Sequence, residues 1–164
     1  MNVKLRKMSS QEFEIFAQYS TEDYAKDLLK ESEYSWDKAL MQAKKEFDEM
    51  LPDGPETKNN AIMIIEDDIT GDSVGVIWYL YEMTDGVKHT FINDFIIKTE
   101  ERRKGYAIAA LEEMEHDAKR HGYEECRLYV WKHNLAGKRL YEKAGYQEFR
   151  QADDGVYMKK VVKA

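Results

Sequence analysis

An apolar run, a basic turn with glycine and an amphipathic helix follow one another in the second half of this chain. The apolar run is Phe91–Ile97, and the basic turn is Arg102–Ala107. Beyond the turn, apolar residues recur at helical spacing to about His121, and Cys126–Lys132 has the composition of another strand. A strand, a helix and a following strand form a crossover when the two strands are parallel. The sequence therefore predicts a sheet with a parallel strand pair.

The remaining hydrophobic patterns add strands and helices on both sides of this crossover. Asp85-Gly86 is a hairpin signal, so the three strands within 61–98 should form an antiparallel meander. Ser9 and Asn134 are of the types that cap helices, and the first helix is expected to break near Ser20-Thr21. The predicted strands are 3–8, 61–66, 73–83, 87–98, 126–132, 146–151 and 156–162, and the predicted helices begin near residue 9, after residue 35, within 102–107 and after residue 134.

Length and element order together define the fold class. A chain of 164 residues is long enough for one substantial core. The sequence contains no repeat, no low-complexity tract and no linker. We therefore expect a single mixed α/β (α+β) domain over residues 1–164, with about seven strands and about four helices.

Composition and charge argue against several classes of protein. Hydrophobic residues make up 43% and charged residues 35%, which is typical of a soluble globular protein. The net charge of −7 argues against general binding to nucleic acid. No apolar run reaches the roughly 18 residues that cross a bilayer, and residues 1–6 lack the apolar core of a signal peptide. Together with the single cysteine, Cys126, these features favour the cytoplasm. We expect a monomer or homodimer without membrane or nucleic-acid partners.

The acidic surplus is concentrated near the N-terminus. Residues 9–53 contain 12 acidic and 5 basic side chains, whereas the rest of the chain contains 20 of each. Such a region can attract a cationic partner, because a net negative charge raises the local concentration of cations. Two solvated helix faces would produce the same composition, and the sequence leaves both interpretations open.

The basic turn Arg102–Ala107 has the properties of an anion site. The first amides of a helix have no acceptor within the helix, and the helix dipole makes that end partly positive. A phosphate can therefore bind there through backbone N–H groups, and Gly105 allows close approach. The turn is neither a P-loop nor a dinucleotide-binding fingerprint, because the glycine spacings of both motifs are absent. An exposed basic turn without a ligand is the alternative.

A second motif, Asn134–Tyr146, makes the turn more specific. Together the two stretches resemble the GNAT superfamily of acetyl-CoA-dependent N-acetyltransferases. The cofactor motif of that family, Arg/Gln-x-x-Gly-x-Gly/Ala, is matched by Arg102, Gly105 and Ala107. Its later motif, Asn-x-x-Ala-x-x-Leu-Tyr-Glu-x-x-Gly-Phe, is matched by Asn134, Leu140, Tyr141, Glu142 and Gly145. Gly137 replaces the usual alanine and Tyr146 the usual phenylalanine. The strand order also agrees with the family, so the resemblance covers nearly the whole chain.

The resemblance implies a fold detail and a co-substrate. In this family the sheet is mostly antiparallel, and strands four and five splay apart to hold the acetyl thioester of acetyl-CoA. The backbone of strand four would pair with the pantetheine arm, the amides of 102–107 would hold the pyrophosphate, and Asn134 would hydrogen-bond the arm. The implied cofactor-binding residues are Phe95, Ile96, Ile97, Arg102, Arg103, Lys104, Gly105, Tyr106, Ala107, Asn134 and Lys138.

The resemblance also implies a catalytic acid, and it leaves the base open. Tyr141 would protonate the departing thiolate, since a phenol with a pKa of about 10 can donate to a thiolate whose thiol has a pKa of about 8.5. The positions where family members often have an acid are occupied by Phe91 and Tyr129. Asp94 is the nearest acid, although regular alternation puts it on the opposite face from Phe91 unless a bulge intervenes. His133 or a water relay are the alternatives.

The expected activity is therefore transfer of acetyl from acetyl-CoA to a primary amine by direct attack in a ternary complex. No metal is expected, because the four histidines show no ligand spacing with cysteine. The acceptor would be a protein amine, a polyamine, an aminoglycoside or another small cationic amine, bound near the N-terminal helices and strands three and four. A non-catalytic acyl-CoA sensor and a transferase for another acyl group, such as succinyl, are the competing hypotheses.

Overall fold

A computed structural model describes the backbone of residues 2–163, and it contains seven strands and four α-helices within them. The strands are β1 (Val3–Lys7), β2 (Asn60–Asp67), β3 (Ser73–Thr84), β4 (Val87–Ile97), β5 (Glu125–Trp131), β6 (Gln147–Gln151) and β7 (Gly155–Val161). The helices are α1 (Ser10–Glu31), α2 (Trp36–Met50), α3 (Tyr106–Arg120) and α4 (Leu135–Lys143), with short 3₁₀ helices at Gly54–Glu56 and Thr99–Glu101.

All seven strands form one sheet in the order β1-β2-β3-β4-β5-β7-β6. Strands β4 and β5 are parallel, and every other neighbouring pair is antiparallel. The predicted mixed α/β fold, with its antiparallel meander and its parallel crossover, is confirmed. The chain divides into two compact units: Met8–Lys58 contains α1 and α2, and the sheet with α3 and α4 forms the other.

Capping residues explain where the helices of the first unit begin. The Ser9 side chain accepts a hydrogen bond from the Glu12 amide, and the Glu12 carboxylate accepts one from the Ser9 amide. At the start of α2 the Ser35 side chain accepts a hydrogen bond from the Lys38 amide. The expected break near Ser20-Thr21 is wrong, because α1 is continuous. Serine and threonine are only weakly unfavourable inside a helix, and Thr21 is buried there.

Two glycines explain the geometry of the central meander. Asp85 and Gly86 have φ values of 51° and 80°, the pair of positive angles that a two-residue type I′ hairpin requires. Gly75 on β3 lies so close to β4 that a Cβ atom would collide with the carbonyl oxygen of Ile96. The absence of a side chain at residue 75 therefore sets the spacing between these two strands.

Helix α3 packs its apolar stripe on one face of the sheet. Ala110, Leu111, Met114 and Ala118 are completely buried, in a cluster that includes Ile77 and Leu128. The stripe has the helical period that the sequence predicted. Within the described residues, no helix is both long and apolar enough to cross a membrane.

Candidate active site

Strands β4 and β5 separate after a short paired segment. Their register includes only three pairs, which are His89 with Glu125, Thr90 with Cys126, and Phe91 with Arg127. Strand β4 continues to Ile97 and β5 to Trp131, so a gap opens between their later halves. The splayed pair that the family resemblance implied is confirmed. Beyond Phe91 the register of β4 with β5 ends, so the ladder between these two strands does not continue along the gap.

A β-bulge in β4 changes the face of the sheet on which the Asp94 side chain lies. Ile92 pairs with Tyr79 and Asp94 pairs with Trp78, so Asn93 is an extra residue without a partner on β3. Because Trp78 and Tyr79 are adjacent on a strand, their side chains point to opposite faces. Ile92 and Asp94 therefore lie on opposite faces of the sheet, although regular alternation would put them on one face.

The bulge is the alternative that the sequence left open for Asp94. Phe91 pairs with Leu80, which lies on the same face as Trp78 and hence as Asp94. Regular alternation, which would separate Asp94 from Phe91, does not hold at this position. The Asp94 carboxylate therefore lies on the same face of the sheet as Phe91. Phe91 is the residue at a position where members of the resembled family often have an acid.

The basic turn ends in an open helix N-terminus. Gly105 is the N-cap of α3, with φ of 90°, and it provides no side-chain hydrogen bond to the first turn. Helices α1, α2 and α4 are capped by Ser9, Ser35 and Asn134. Arg103 also has a positive φ of 63°, which is costly for a residue with a side chain. The turn therefore directs uncapped amides outward, as an anion site requires.

Two of the three basic side chains in this turn also contact their own chain. The Arg102 Nε donates to the carbonyl oxygen of Ile97 at 3.0 Å, which ties the turn to the end of β4. The Lys104 Nζ lies 3.2 Å from Glu101 Oε2. Both contacts are exposed, so they hold the turn without removing its positive charge from solvent.

Tyr106 connects the first turn of α3 to Asp67 at the end of β2. Its hydroxyl donates to Asp67 Oδ2 at 2.6 Å, and Asp67 Oδ1 accepts from the amides of Ile69 and Thr70 at 2.8 and 3.0 Å. These bonds, with that from Tyr106 the largest contribution, lower the pKa of Asp67 from 3.8 to about 2. The same bond and burial raise the pKa of Tyr106 to about 12. Sequence reasoning missed Asp67, because 39 residues separate the partners.

Helix α4 begins at the second motif. The Asn134 Oδ1 accepts from the Gly137 amide at 2.9 Å, so Asn134 caps the helix while its Nδ2 remains available as a donor. A Cβ on Gly137 would collide with this side chain, which explains how glycine at 137 lets Asn134 fold back closely. The Lys138 Nζ lies 3.0 Å from Glu148 Oε1, and this carboxylate raises the pKa of Lys138.

Tyr141 lies on α4 and is partly buried against the core that contains α3. Burial, and then the negative charge of Asp94, raise the pKa of its hydroxyl from 10.0 to about 12. This direction is the one expected of a negative charge, which disfavours the phenolate. The two residues are 47 positions apart in the sequence, one on α4 and one directly after the bulge of β4.

The other candidate groups have different surroundings. Tyr129 donates its hydroxyl to Asp154, and burial, followed by this bond, raises its pKa to about 12. His133 stacks on Trp131 with ring centroids 6.3 Å apart. Cys126 is completely buried, and burial raises the pKa of its thiol to about 12, which disfavours the nucleophilic thiolate.

Comparison with known proteins agrees with this architecture. The model of the acetyltransferase (GNAT) family matches residues 17–146 of the chain. The N-acetyltransferase YycN of Bacillus subtilis is 32% identical over 151 residues, which cover 90% of this chain and 94% of the relative. The chain belongs to the GNAT acetyltransferase family, and it is an acyltransferase.

Solved structures have the same fold. The crystal structure of YycN superimposes with a TM-score of 0.79 at 29% identity, and the match covers 92% of this chain and 96% of that chain. Spermidine N-acetyltransferase of Vibrio cholerae, solved with CoA and spermine, gives a TM-score of 0.68 at 15% identity, with 98% and 96% covered. The second similarity concerns the fold alone, since the identity is low.

Proposed function

We propose that this enzyme transfers an acetyl group from acetyl-CoA to a primary amine by direct attack in a ternary complex. The observation that carries the proposal is the gap between β4 and β5, together with the bulge that turns Asp94. The effect of the Asp94 charge on the pKa of Tyr141 supports pairing these two residues in the mechanism. Family membership favours a catalytic role over a non-catalytic sensor.

Acetyl-CoA would bind along β4 and the start of α3. The amides around Gly105 and Tyr106 would hold the pyrophosphate, with positive charge from Arg102, Arg103 and Lys104. The backbone of Phe95, Ile96 and Ile97 would pair with the pantetheine arm, because β5 has already separated from β4 there. The Asn134 Nδ2 would donate a hydrogen bond to the pantetheine arm. Lys138, on α4, would add positive charge for the cofactor.

The transfer requires a neutral amine, a polarised carbonyl and a protonated leaving group. In the proposed mechanism Asp94 accepts the proton of the acceptor ammonium, directly or through a water molecule, and the amine nitrogen then attacks the thioester carbon. Backbone amides of β4 at the gap would stabilise the oxyanion. As the carbon–sulfur bond breaks, Tyr141 donates its proton to the thiolate. The nitrogen loses its second proton, which returns the Tyr141 phenolate to the phenol through water, and Asp94 releases its proton to solvent. The raised pKa of Tyr141 keeps the phenol protonated before the reaction, which is the state that a proton donor needs.

The acceptor is proposed to be cationic. Residues 9–53 contain seven more acidic than basic side chains, and the whole chain has a net charge of −7. A field of this sign raises the local concentration of ammonium groups. The Vibrio cholerae neighbour is named for spermidine, a polyamine. Polyamines, aminoglycosides and lysine side chains of proteins are all within the proposed class.

A panel of amines with thiol release as the readout tests the proposal. We expect turnover with at least one cationic amine and acetyl-CoA, and much slower turnover with neutral amines of the same size. The same acceptor should be assayed with succinyl-CoA, which separates acetyl transfer from transfer of another acyl group. Tight binding of acetyl-CoA without turnover on any amine would contradict the proposal.

A further inference from the structure

A buried carboxylate lies outside the groups that the proposed mechanism uses. Glu115 on α3 is only 8% exposed. Its Oε2 accepts from the Tyr146 hydroxyl at 2.9 Å, and its Oε1 lies 2.8 Å from Lys160 Nζ on β7. Burial of a carboxylate is costly unless it is paired and hydrogen-bonded, and here both oxygens have a partner. The cluster therefore fixes three separate segments of the chain to one another.

Tyr146 connects this cluster to the proposed catalytic acid. Its backbone N–H donates to the carbonyl oxygen of Tyr141 at 2.9 Å. The two rings meet edge to face, with centroids 6.1 Å apart and an interplanar angle of 65°. Tyr146 thus contacts Tyr141 through both its backbone and its ring, and its hydroxyl connects it to α3.

The hydroxyl of Tyr146 is a departure from the family motif, in which phenylalanine is usual. Tyr146 is 2% exposed, so an unpaired hydroxyl there would be destabilising. Burial raises the pKa of this hydroxyl well above its ordinary value, so it remains protonated and donates to Glu115. The Lys160 side chain also lies next to the turn before Tyr146. A Cβ atom on Gly145 would be only 3.4 Å from Lys160 Cε. The turn between α4 and β6 is therefore held on two sides.

We propose that Glu115 and Tyr146 are positioning residues that hold the Tyr141 ring at the thioester and tie it to the helix that binds the pyrophosphate. The inference rests on the proposed function, since it takes Tyr141 as the proton donor. Helix α3 would hold the cofactor at its N-terminus, and just beyond its middle it would hold the acid through Glu115. A shift of about 1 Å between reacting groups can reduce a rate about 100-fold, so this link has a measurable consequence.

Tyr146→Phe tests the link by removing one oxygen atom and leaving the ring. We expect kcat to fall about five- to tenfold, within the range that misplacement of a catalytic group produces. The KM for acetyl-CoA should stay within about twofold, because no cofactor contact is removed. Glu115→Gln should show a smaller loss, since its amide oxygen can still accept from the hydroxyl. An unchanged kcat in Tyr146→Phe would overturn the proposal.

Tyr79→Phe is the matched control. Like Tyr146, Tyr79 donates its hydroxyl to a carboxylate of α3, at 2.7 Å from Asp117 Oδ2, and Tyr79 is 1% exposed. Tyr81 donates to the same oxygen of Asp117. Both variants should lower Tm by similar amounts, but only Tyr146→Phe should lower kcat. An equal fall of kcat in both variants would mean that general loosening of α3 explains the effect, and it would overturn the positioning role.

The double variant Tyr141→Phe/Tyr146→Phe separates this inference from the proposed function. If Tyr146 acts through the Tyr141 hydroxyl, its replacement should cause no further loss once that hydroxyl is gone. Additive losses would contradict the inference alone. Full activity in the single Tyr141→Phe variant would instead contradict the proposed role of Tyr141.

Discussion

At the scale of single residues, the environment of Tyr141 defines the state in which it starts the reaction. Burial and the Asp94 carboxylate both disfavour the phenolate, and together they raise the pKa to about 12. A tyrosine with an ordinary pKa near 10 would begin to lose its proton in mildly alkaline buffers. In the proposed mechanism, Tyr141 therefore keeps the proton that it donates at pH values where an ordinary tyrosine begins to ionise.

The pH dependence of kcat tests this property. A group that must be protonated loses its contribution as pH rises through its folded pKa, so Tyr141 should impose no loss below about pH 11. We expect kcat to rise with pH while the base loses its proton and then to stay level up to about pH 10. An alkaline decrease near pH 9 in the wild type that is absent in Tyr141→Phe would contradict the assignment.

The bond between Tyr106 and Asp67 should control the affinity for acetyl-CoA. In Tyr106→Phe the first turn of α3 loses its anchor, and we expect the KM for acetyl-CoA to rise several-fold with kcat nearly unchanged. Initial rates at saturating acceptor measure both constants. A kcat loss without a change of KM would show that this bond serves another step.

Acid unfolding provides a second test of the same bond. Asp67 has a lowered folded pKa, so its contribution to stability is present above its ordinary value of 3.8 and is lost as pH falls through about 2. The difference in the free energy of unfolding between wild type and Tyr106→Phe should therefore shrink as pH falls from 5 towards 2. A difference that is constant over this range would show that the carboxylate is not the partner that matters.

At the scale of secondary-structure elements, local signals predicted the turns and caps. Asp85-Gly86 and the Ser9 capping box are determined by neighbours within four residues, so the sequence alone identifies them. The bulge at Asn93 is different, because it depends on how β3 and β4 align over their full length. No local pattern marks Asn93 as the extra residue. The direction of Asp94 therefore followed only from the structure.

Gly75→Ala tests whether the spacing of β3 and β4 matters for the site. The added Cβ would collide with the backbone carbonyl of Ile96, and backbone cannot swing aside as a side chain can. We expect destabilisation of about 1–3 kcal/mol, as for other overpacked positions, and weaker binding of acetyl-CoA at the displaced end of β4. Ser73→Ala, near the start of the same strand, is the control. Wild-type Tm and affinity in Gly75→Ala would show that β4 adjusts without cost.

At the scale of the whole molecule, the two sequence motifs belong to one fold. They begin at Arg102 and Asn134, which are 32 positions apart. Their residues predicted the splayed sheet, because the family resemblance connects both motifs to that architecture. The partners of the buried groups were beyond sequence reasoning. Glu115 contacts Tyr146 and Lys160 across 31 and 45 residues, and such pairs arise only when helix and sheet pack together. The division of the chain into two compact units was also not predicted.

The central claim is that Asp94 and Tyr141 perform the transfer beside the gap between β4 and β5. Asp94→Asn and Tyr141→Phe change these groups with little change of volume, and Asp85→Asn in the hairpin is the control, since Asn-Gly fits the same turn. The decisive measurement is kcat for the best cationic amine together with the Kd of acetyl-CoA from calorimetry. We expect kcat to fall about 100-fold or more in each site variant, with Kd within about threefold of wild type and the control fully active. Wild-type kcat in either site variant would contradict the central claim.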